Sequence, residues 1–270
     1  MLRSLYSGIS GMRGFQTKLD VIGNNIANVN TIGFKTGRVM FKDILSQTIS
    51  GVTAPVDGKG GVNSKQIGLG VTLGAIDTIH TPGSAMTTNV VTDLRIDGDG
   101  FFVVSPDGTQ QYLTRAGNFT LDAARQLVNA EGLLVLGSDG APIVLDDTVR
   151  AFSISQNGEI IAVNPDGTSQ TTGILVGVSK VVNPSGLEKI GGNLYRMTPN
   201  ANPDGVLEIV TAQDADIGTG SIISGQLEMS NVDLTSEFTE MIVAQRGFQA
   251  NSRIITTSDE VLQEVVNLKH

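Results

Sequence analysis

The chain of 270 residues contains no cysteine and no tryptophan, its aromatics make up only 4%, and histidine occurs twice. Without cysteine there are no disulfides, thiol nucleophiles or thiolate metal sites. The lack also suits a protein that works outside a reducing cytosol. No run of about 18 apolar residues occurs, so no membrane-spanning helix is expected. The opening MLRSLYSGISGM has neither a continuous apolar stretch nor a small-residue cleavage site. It does not read as a cleaved secretory signal.

Hydrophobic residues reach 40%, enough for a real core, and 33 glycines favour many turns. The net charge is −9 and uneven. Residues 1–50 carry Arg3, Arg13, Lys18, Lys35, Arg38 and Lys42 against Asp20 and Asp43, a balance of +4 that leaves −13 for the rest. An acidic bulk excludes nucleic acid as the main partner, because phosphate binding needs clustered Lys and Arg.

Apolar residues recur three and four apart at both ends. Leu2, Leu5, Ile9, Met12, Phe15, Leu19, Ile22 and Ile26 form one stripe. Leu234, Phe238, Met241, Gln245, Phe248, Ser252, Ile255, Asp259, Leu262 and Val266 keep the same spacing at the other end, where one column (Leu234, Met241, Phe248, Ile255, Leu262) is apolar and the second (Phe238, Gln245, Ser252, Asp259, Val266) mostly polar. Such spacing marks a helical seam and points to assembly. The first helix is expected over residues 2–29. Gly8, Gly11, Gly14 and Gly23 lie inside it, each costing about 1 kcal/mol relative to Ala. It should therefore order only when the second helix and neighbouring subunits supply its missing face. The second helix should start at an Asp233 N-cap, with Glu237 in its first turn, and run to about Leu268.

Residues 34–50 read as a short extended arm or a helical turn. Residues 51–70 are rich in glycine and poor in apolar side chains, as in a linker or exposed loop. From about 71 to 225, short apolar runs alternate with Asp97-Gly98, Asp107-Gly108, Asp139-Gly140, Asn157-Gly158, Asp166-Gly167 and Asp204-Gly205. Such pairs favour tight hairpins. No helical pattern separates these runs, so parallel βαβ units are excluded. The expected fold is α+β: a mainly antiparallel, sandwich- or barrel-like middle between long terminal helices. Residues 1–30 with 231–270 would form a helical assembly domain, 31–75 a connecting arm and 76–230 a β-rich outer domain.

Catalytic and metal-binding patterns fail one by one. His80 and His270 cannot build a zinc site, and no G-x-S-x-G elbow accompanies His80. Gly58-Lys59 has Thr53 where a phosphate loop needs glycine, and Gly60 where it needs Ser or Thr. Asp97-Gly-Asp99-Gly is followed by apolar FFVV rather than further calcium ligands. Neither an enzyme nor a cofactor or metal is expected.

LDVIGNNIANVNTIGFK (19–35) and SGQLEMSNVDLTSEFTEMIVAQRGFQANSRIITTSDEVLQEVVNL (224–268) resemble the bacterial flagellar axial family of rod, hook and hook-associated proteins. DLRIDGDGFFVV, YLTRAGNFTLD and LVNAEGLLVLG in the middle agree. The resemblance implies paired termini in the inner layer of a hollow helical homopolymer, with the β domain outside. It implies Asn24, Asn25, Asn28, Thr31, Gly33, Phe34 and Lys35 shaping the turn out of the first helix. It implies delivery by the flagellar type III export apparatus without a cleaved signal, to an extracellular hook or a basal body. Neighbours would be rod proteins, the hook cap and hook-filament junction proteins.

Within that family the C-terminal segment and the glycine-rich 48–70 stretch favour a short hook protein acting as a flexible torque-transmitting joint, because flexible linkage suits bending. The alternative is the distal rod, a rigid drive shaft. A secreted carbohydrate-binding or hydrolytic β domain with oligomerising helices is a third reading.

Overall fold

The N-terminal stripe forms helix α1, Leu2–Ala27, and the C-terminal stripe helix α2, Leu234–Asn267. The computed structural model describes residues 2–55, 60–108, 110–146, 149, 151–163, 168–203 and 205–268, except for the side chain of Leu2. The expected turn at Asp166-Gly167, the rejected phosphate loop at Gly58-Lys59, His270 and the Asp204 half of Asp204-Gly205 lie outside the described residues. At the start of α2, Asp233 caps as its residue type predicts: its Oδ1 accepts from Thr235 N at 2.9 Å.

The chain divides into two units. The first comprises residues 1–27, 37–78 and 233–270. Beside its helices run four strands: β1 (Gly37–Asp43), β2 (Ser46–Ser50), β3 (Lys65–Gly68) and β4 (Val71–Thr78). β1 pairs antiparallel with β4, and β2 with β3. The bridge Thr53–Val62 continues the β2–β3 pairing outward. The stretch expected as a linker or loop is thus part of an antiparallel hairpin, through residues 65–68 and the Thr53–Val62 bridge. Both of its strands are exposed along their length, so no alternating apolar pattern announces them.

The second unit comprises residues 28–36 and 79–232. Its boundaries run through the Asn-rich motif: residues 28–36 go with the β-rich unit, while residues 37–78 go with the helices. Its strands are β5 (Ala85–Thr87), β6 (Leu94–Asp97), β7 (Phe101–Ser105), β8 (Tyr112–Thr114), β9 (Thr120–Leu121), β10 (Leu127–Val128), β11 (Leu134–Val135), β12 (Ala151–Ile154), β13 (Glu159–Val163), β14 (Ser169–Leu175), β15 (Val178–Ser179), β16 (Glu188–Gly191), β17 (Leu194–Arg196), β18 (Ser221–Ser224) and β19 (Gln226–Glu228). Every pairing between these strands is antiparallel. The main sheet runs β16-β17-β8-β7-β11-β10-β9, with β15 also on β7. It ends in free edges at β16 and β9, so among the described residues no barrel closes. The β12–β13 hairpin turns at Asn157-Gly158, where Gly158 takes φ +84° and its N donates to Ser155 O at 3.0 Å.

β7 explains the unbroken apolar run FFVV. All five of its residues are buried. Phe102 and Val104 enter one core with Leu94, Ile96, Phe119 and Ile160. Phe101 and Val103 enter a second core with Leu113, Leu136 and Tyr195. A strand covered on both faces carries apolar residues at consecutive positions rather than alternate ones.

Candidate assembly site

In the first unit α1 and α2 pack antiparallel. An ideal Cβ on Gly8 would meet Ile255 Cγ1 at 3.3 Å, and one on Gly11 would meet Asn251 Oδ1 at 2.9 Å. Phe15 Cζ lies 2.5 Å from the Cβ position of Gly247. Lys18 Nζ pairs with Glu240 Oε2 at 2.5 Å, and Asn25 Nδ2 donates to Glu237 Oε1 at 3.1 Å. The glycines that weaken α1 in isolation therefore make close helix approach possible. Gly14 serves the neighbouring face, where its Cβ position lies 2.8 Å from Phe41 Cε1 of β1. Only Gly23 has nothing within 4 Å.

The α2 face against α1 runs through Met241, Ala244, Gly247, Asn251 and Ile255, with Ala244 fully buried. Met241, Ile255 and Leu262 of the expected seam are half-buried. Leu234, Phe238, Gln245, Phe248 and Val266 are exposed within the single chain. On α1, Ile22 is buried; Leu5, Met12, Phe15, Leu19 and Ile26 are half-buried; Ile9 is exposed. The second column of the α2 stripe is thus displaced: small Ala244 and Gly247 and polar Asn251 meet α1, not Phe238 and Gln245. Periodicity gave the spacing of the face but could not show that small residues, rather than large ones, permit the contact.

The motif residues act in both units. Asn25 is buried, and its side chain grips the first residue of β1: Oδ1 accepts from Gly37 N at 3.0 Å and Nδ2 donates to Gly37 O at 2.8 Å. It does this instead of capping the end of α1. Asn24 is exposed. In the second unit Asn28 Oδ1 accepts from Thr31 Oγ1 at 3.1 Å, and Thr31 O accepts from Phe34 N at 3.3 Å. Gly33 sits at φ +69°, where a Cβ would lie 2.6 Å from Ala116 N. Only glycine meets both demands.

Phe34 and Lys35 are buried. Lys189 Nζ stands 4.3 Å from the centroid of the Phe34 ring. Lys35 Nζ donates to Glu228 Oε1 at 2.5 Å and to Thr81 O at 2.7 Å. Arg115 Nη1 lies 3.5 Å from Glu228 Oε2, and its Nη2 donates to Gly98 O at 3.0 Å. Gly83 N donates to Glu228 Oε1 at 3.0 Å, and Gly33 N to the Glu228 carbonyl at 2.8 Å. The buried Glu228 carboxylate thus ties together Lys35, Gly83 and Arg115, and its backbone carbonyl holds Gly33. Asn231 reinforces the knot: Oδ1 accepts from Thr36 N at 2.8 Å and Nδ2 donates to Ile79 O at 2.9 Å.

Two cations against one anion leave this interior net positive. Burial lowers the Lys35 pKa; Glu228 opposes that shift and the Arg115 charge adds to it. Burial likewise lowers that of Arg115, against Glu228. His80 stands edge-on to Phe101 and Tyr195, with ring centroids 5.7 and 5.4 Å away. Burial first, then the Lys35, Arg115 and Lys189 charges, push His80 down to about 4. Burial raises Tyr195 to about 12. A neutral His80 wedged between rings is a packing group. Nothing in the sequence marked Arg115, Tyr195 or Glu228. The available signal for the two charges was an ionisable residue with apolar neighbours, Arg115 before Ala116 and Glu228 between Leu227 and Met229.

Among the described residues no group of three or more His, Asp or Glu side chains is placed to hold a metal ion, and no helix is long and apolar enough to cross a membrane. Paired terminal helices that still expose apolar stripes, on a chain with a buried structural ion knot, define a subunit built to associate. The comparisons give that class its family. Residues 5–35 match the profile "Flagella basal body rod protein", residues 95–162 "Flagellar hook protein FlgE/F/G D1 domain" and residues 223–268 "Flagellar basal body rod FlgEFG protein C-terminal". The flagellar basal-body rod protein FlgG of Bacillus subtilis is 56% identical over 270 residues, covering 100% of both chains. That of Borreliella burgdorferi is 36% identical over 273 residues, covering 100% of this chain and 99% of its own. The B. burgdorferi flagellar hook protein FlgE is 54% identical over 138 residues, 51% of this chain and 31% of its own. The chain belongs to the flagellar rod and hook protein family, whose members are structural axial components and not enzymes.

Proposed function

We propose that the chain is the subunit of the distal rod, a rigid tubular shaft that carries torque from the motor toward the hook. The observation that carries this reading is the extent of the matches: rod proteins match end to end, hook proteins over about half of this chain. This replaces the hook expectation, which rested on the C-terminal segment and on a flexible 48–70 linkage. The β2–β3 pairing and the Thr53–Val62 bridge hold part of that stretch in paired backbone, and paired backbone supports stiffness rather than bending. The carbohydrate-binding reading falls with it, since the family is structural.

In this reading the chain forms a helical homopolymer, with other rod proteins on one side and the hook on the other. It reaches its place through the flagellar type III apparatus without a cleaved signal. The test is electron microscopy of basal bodies from a strain lacking the gene. Truncated rods that carry no hook are expected. Complete rods that merely lack a hook would reinstate the hook reading.

A further inference from the structure

The two helices of the first unit differ in length, and the excess lies at one end. With Gly8 beside Ile255 and Phe15 beside Gly247, one residue of α2 passes per residue of α1. Leu2 is then level with about residue 260, and the last turns of α2 run on for about 10 Å without α1 beside them. That stretch is not polar all round. Thr257, Val261, Val265 and Leu268 follow one another four, four and three apart on one stripe, and Val261, Val265 and Leu268 are 47%, 51% and 86% exposed. Glu260 and Glu264 stand one turn apart beside it.

A matching recess exists in the same unit. The side of α1 turned away from α2, Ile44 just after β1, Leu69 and the start of β4 enclose a groove of about 480 Å³, lined by Tyr6, Ile9, Arg13, Ile44, Leu69 and Leu73 among others. Along α1 it runs from Tyr6 to Thr17, a rise of about 16 Å. Thr257–Leu268 rises by the same about 16 Å. The charges are complementary: Arg13 lines the groove, Glu260 and Glu264 flank the stripe, and among the described residues none of the three forms an ion pair within the chain. The exposed apolar stripe and the recess cannot satisfy each other inside one molecule, because α2 packs on the opposite side of α1.

We propose that the C-terminal segment Thr257–Leu268 of α2, whose last turns overhang α1, seats in the groove between α1 and the start of β4 of a second copy of this chain. This contact rests on the homopolymer reading and specifies one of its interfaces. It chains subunits heterologously, each giving its α2 end and receiving another in its groove. Such a contact propagates instead of closing into a dimer.

The absence of cysteine makes the test clean. Thr17→Cys marks one end of the groove; Thr257→Cys and Leu268→Cys mark the two ends of the segment. Within one chain Thr17 and Thr257 are separated by about 18 Å along the helix pair, and Leu268 is farther still, beyond the roughly 7 Å Cα reach of a disulfide. Basal bodies are purified from cells carrying each double variant as the sole copy, oxidised, and run without reductant. A covalent ladder is expected from one of the two double variants, depending on the direction in which the segment enters, and none from the single variants. Basal bodies that contain the chain and give no ladder with either pair overturn the docking while leaving the rod reading intact. Should Thr17→Cys prevent incorporation, Thr72→Cys on the opposite wall replaces it, and the same outcomes apply. Basal bodies of unmodified cells that lack the chain overturn the axial reading and the docking together.

Discussion

Gly247 of α2 and Phe15 of α1 meet so closely that a Cβ on the glycine would stand 2.5 Å from Phe15 Cζ. The aromatic ring occupies the space that any other residue would fill. Gly247→Ala thus has two opposed effects: about 1 kcal/mol of gained helix propensity and about 1–3 kcal/mol of overpacking. A net loss in helix-pair stability is expected. Adding Phe15→Leu should convert the loss into a gain, giving a coupling of at least about 1 kcal/mol in a double-mutant cycle. Thermal unfolding followed by far-UV circular dichroism measures it; simple additivity would remove the contact from the account.

Glu228→Gln leaves Lys35 and Arg115 buried without their shared anion. A loss of about 3–5 kcal/mol in the β-rich unit is expected, as for a broken buried ion pair. Lys35→Met should cost less, because Arg115 still pairs with the carboxylate. Urea unfolding of the full chain, with hydrogen exchange read in residues 79–232, gives the order. Equal losses would contradict the shared-anion arrangement.

Folding pushes the His80 pKa down to about 4, below its ordinary value of 6.5. The unfolded chain therefore binds more protons between these values, and stability must rise with pH across that window. Put the other way, the contribution of neutral His80 is complete above pH 6.5 and drains away as pH falls toward 4. Carboxylates add their own slope, so the quantity to measure is the difference between wild type and His80→Phe. The variant should lose part of the slope between pH 6.5 and 4; identical slopes would place His80 in water.

Gly33→Ala combines a φ of +69° with a Cβ at 2.6 Å from the Ala116 amide. A loss of about 1–3 kcal/mol from backbone strain is expected, with the backbone clash added. Gly23→Ala, on a helix with nothing within 4 Å, should instead be neutral or stabilising. Comparing the midpoints of the two variants checks the contrast.

Ile255→Asp puts a charge against Gly8 where the helices touch. Assembly into rods and motility should be lost, because a charge buried without a partner is costly. Hydrogen exchange in the β-rich unit should stay native. Normal motility would show that this face carries no assembly contact.

What was legible in the sequence was local. Asp233 announced its helix and Asn157-Gly158 its hairpin. Each signal acts over a few residues. The Lys35–Glu228 pair spans 193 positions and Arg115–Glu228 spans 113, and no pattern in one chain links residues so far apart. The β2–β3 hairpin was hidden for a different reason. With both faces in water it needs no alternation, and its glycines read as loose chain. The packing role of the α1 glycines was hidden as well, since propensity scales describe an isolated helix and not one pressed against a neighbour.

The double duty of β7 has a consequence for how the β-rich unit comes apart. Phe102 and Val104 belong to one core and Phe101 and Val103 to the other, so neither core can open while the other stays closed. The unit has no internal fault line at this strand. Its amides should exchange as a single block, and its unfolding should register as one cooperative event rather than a sequence of partial ones.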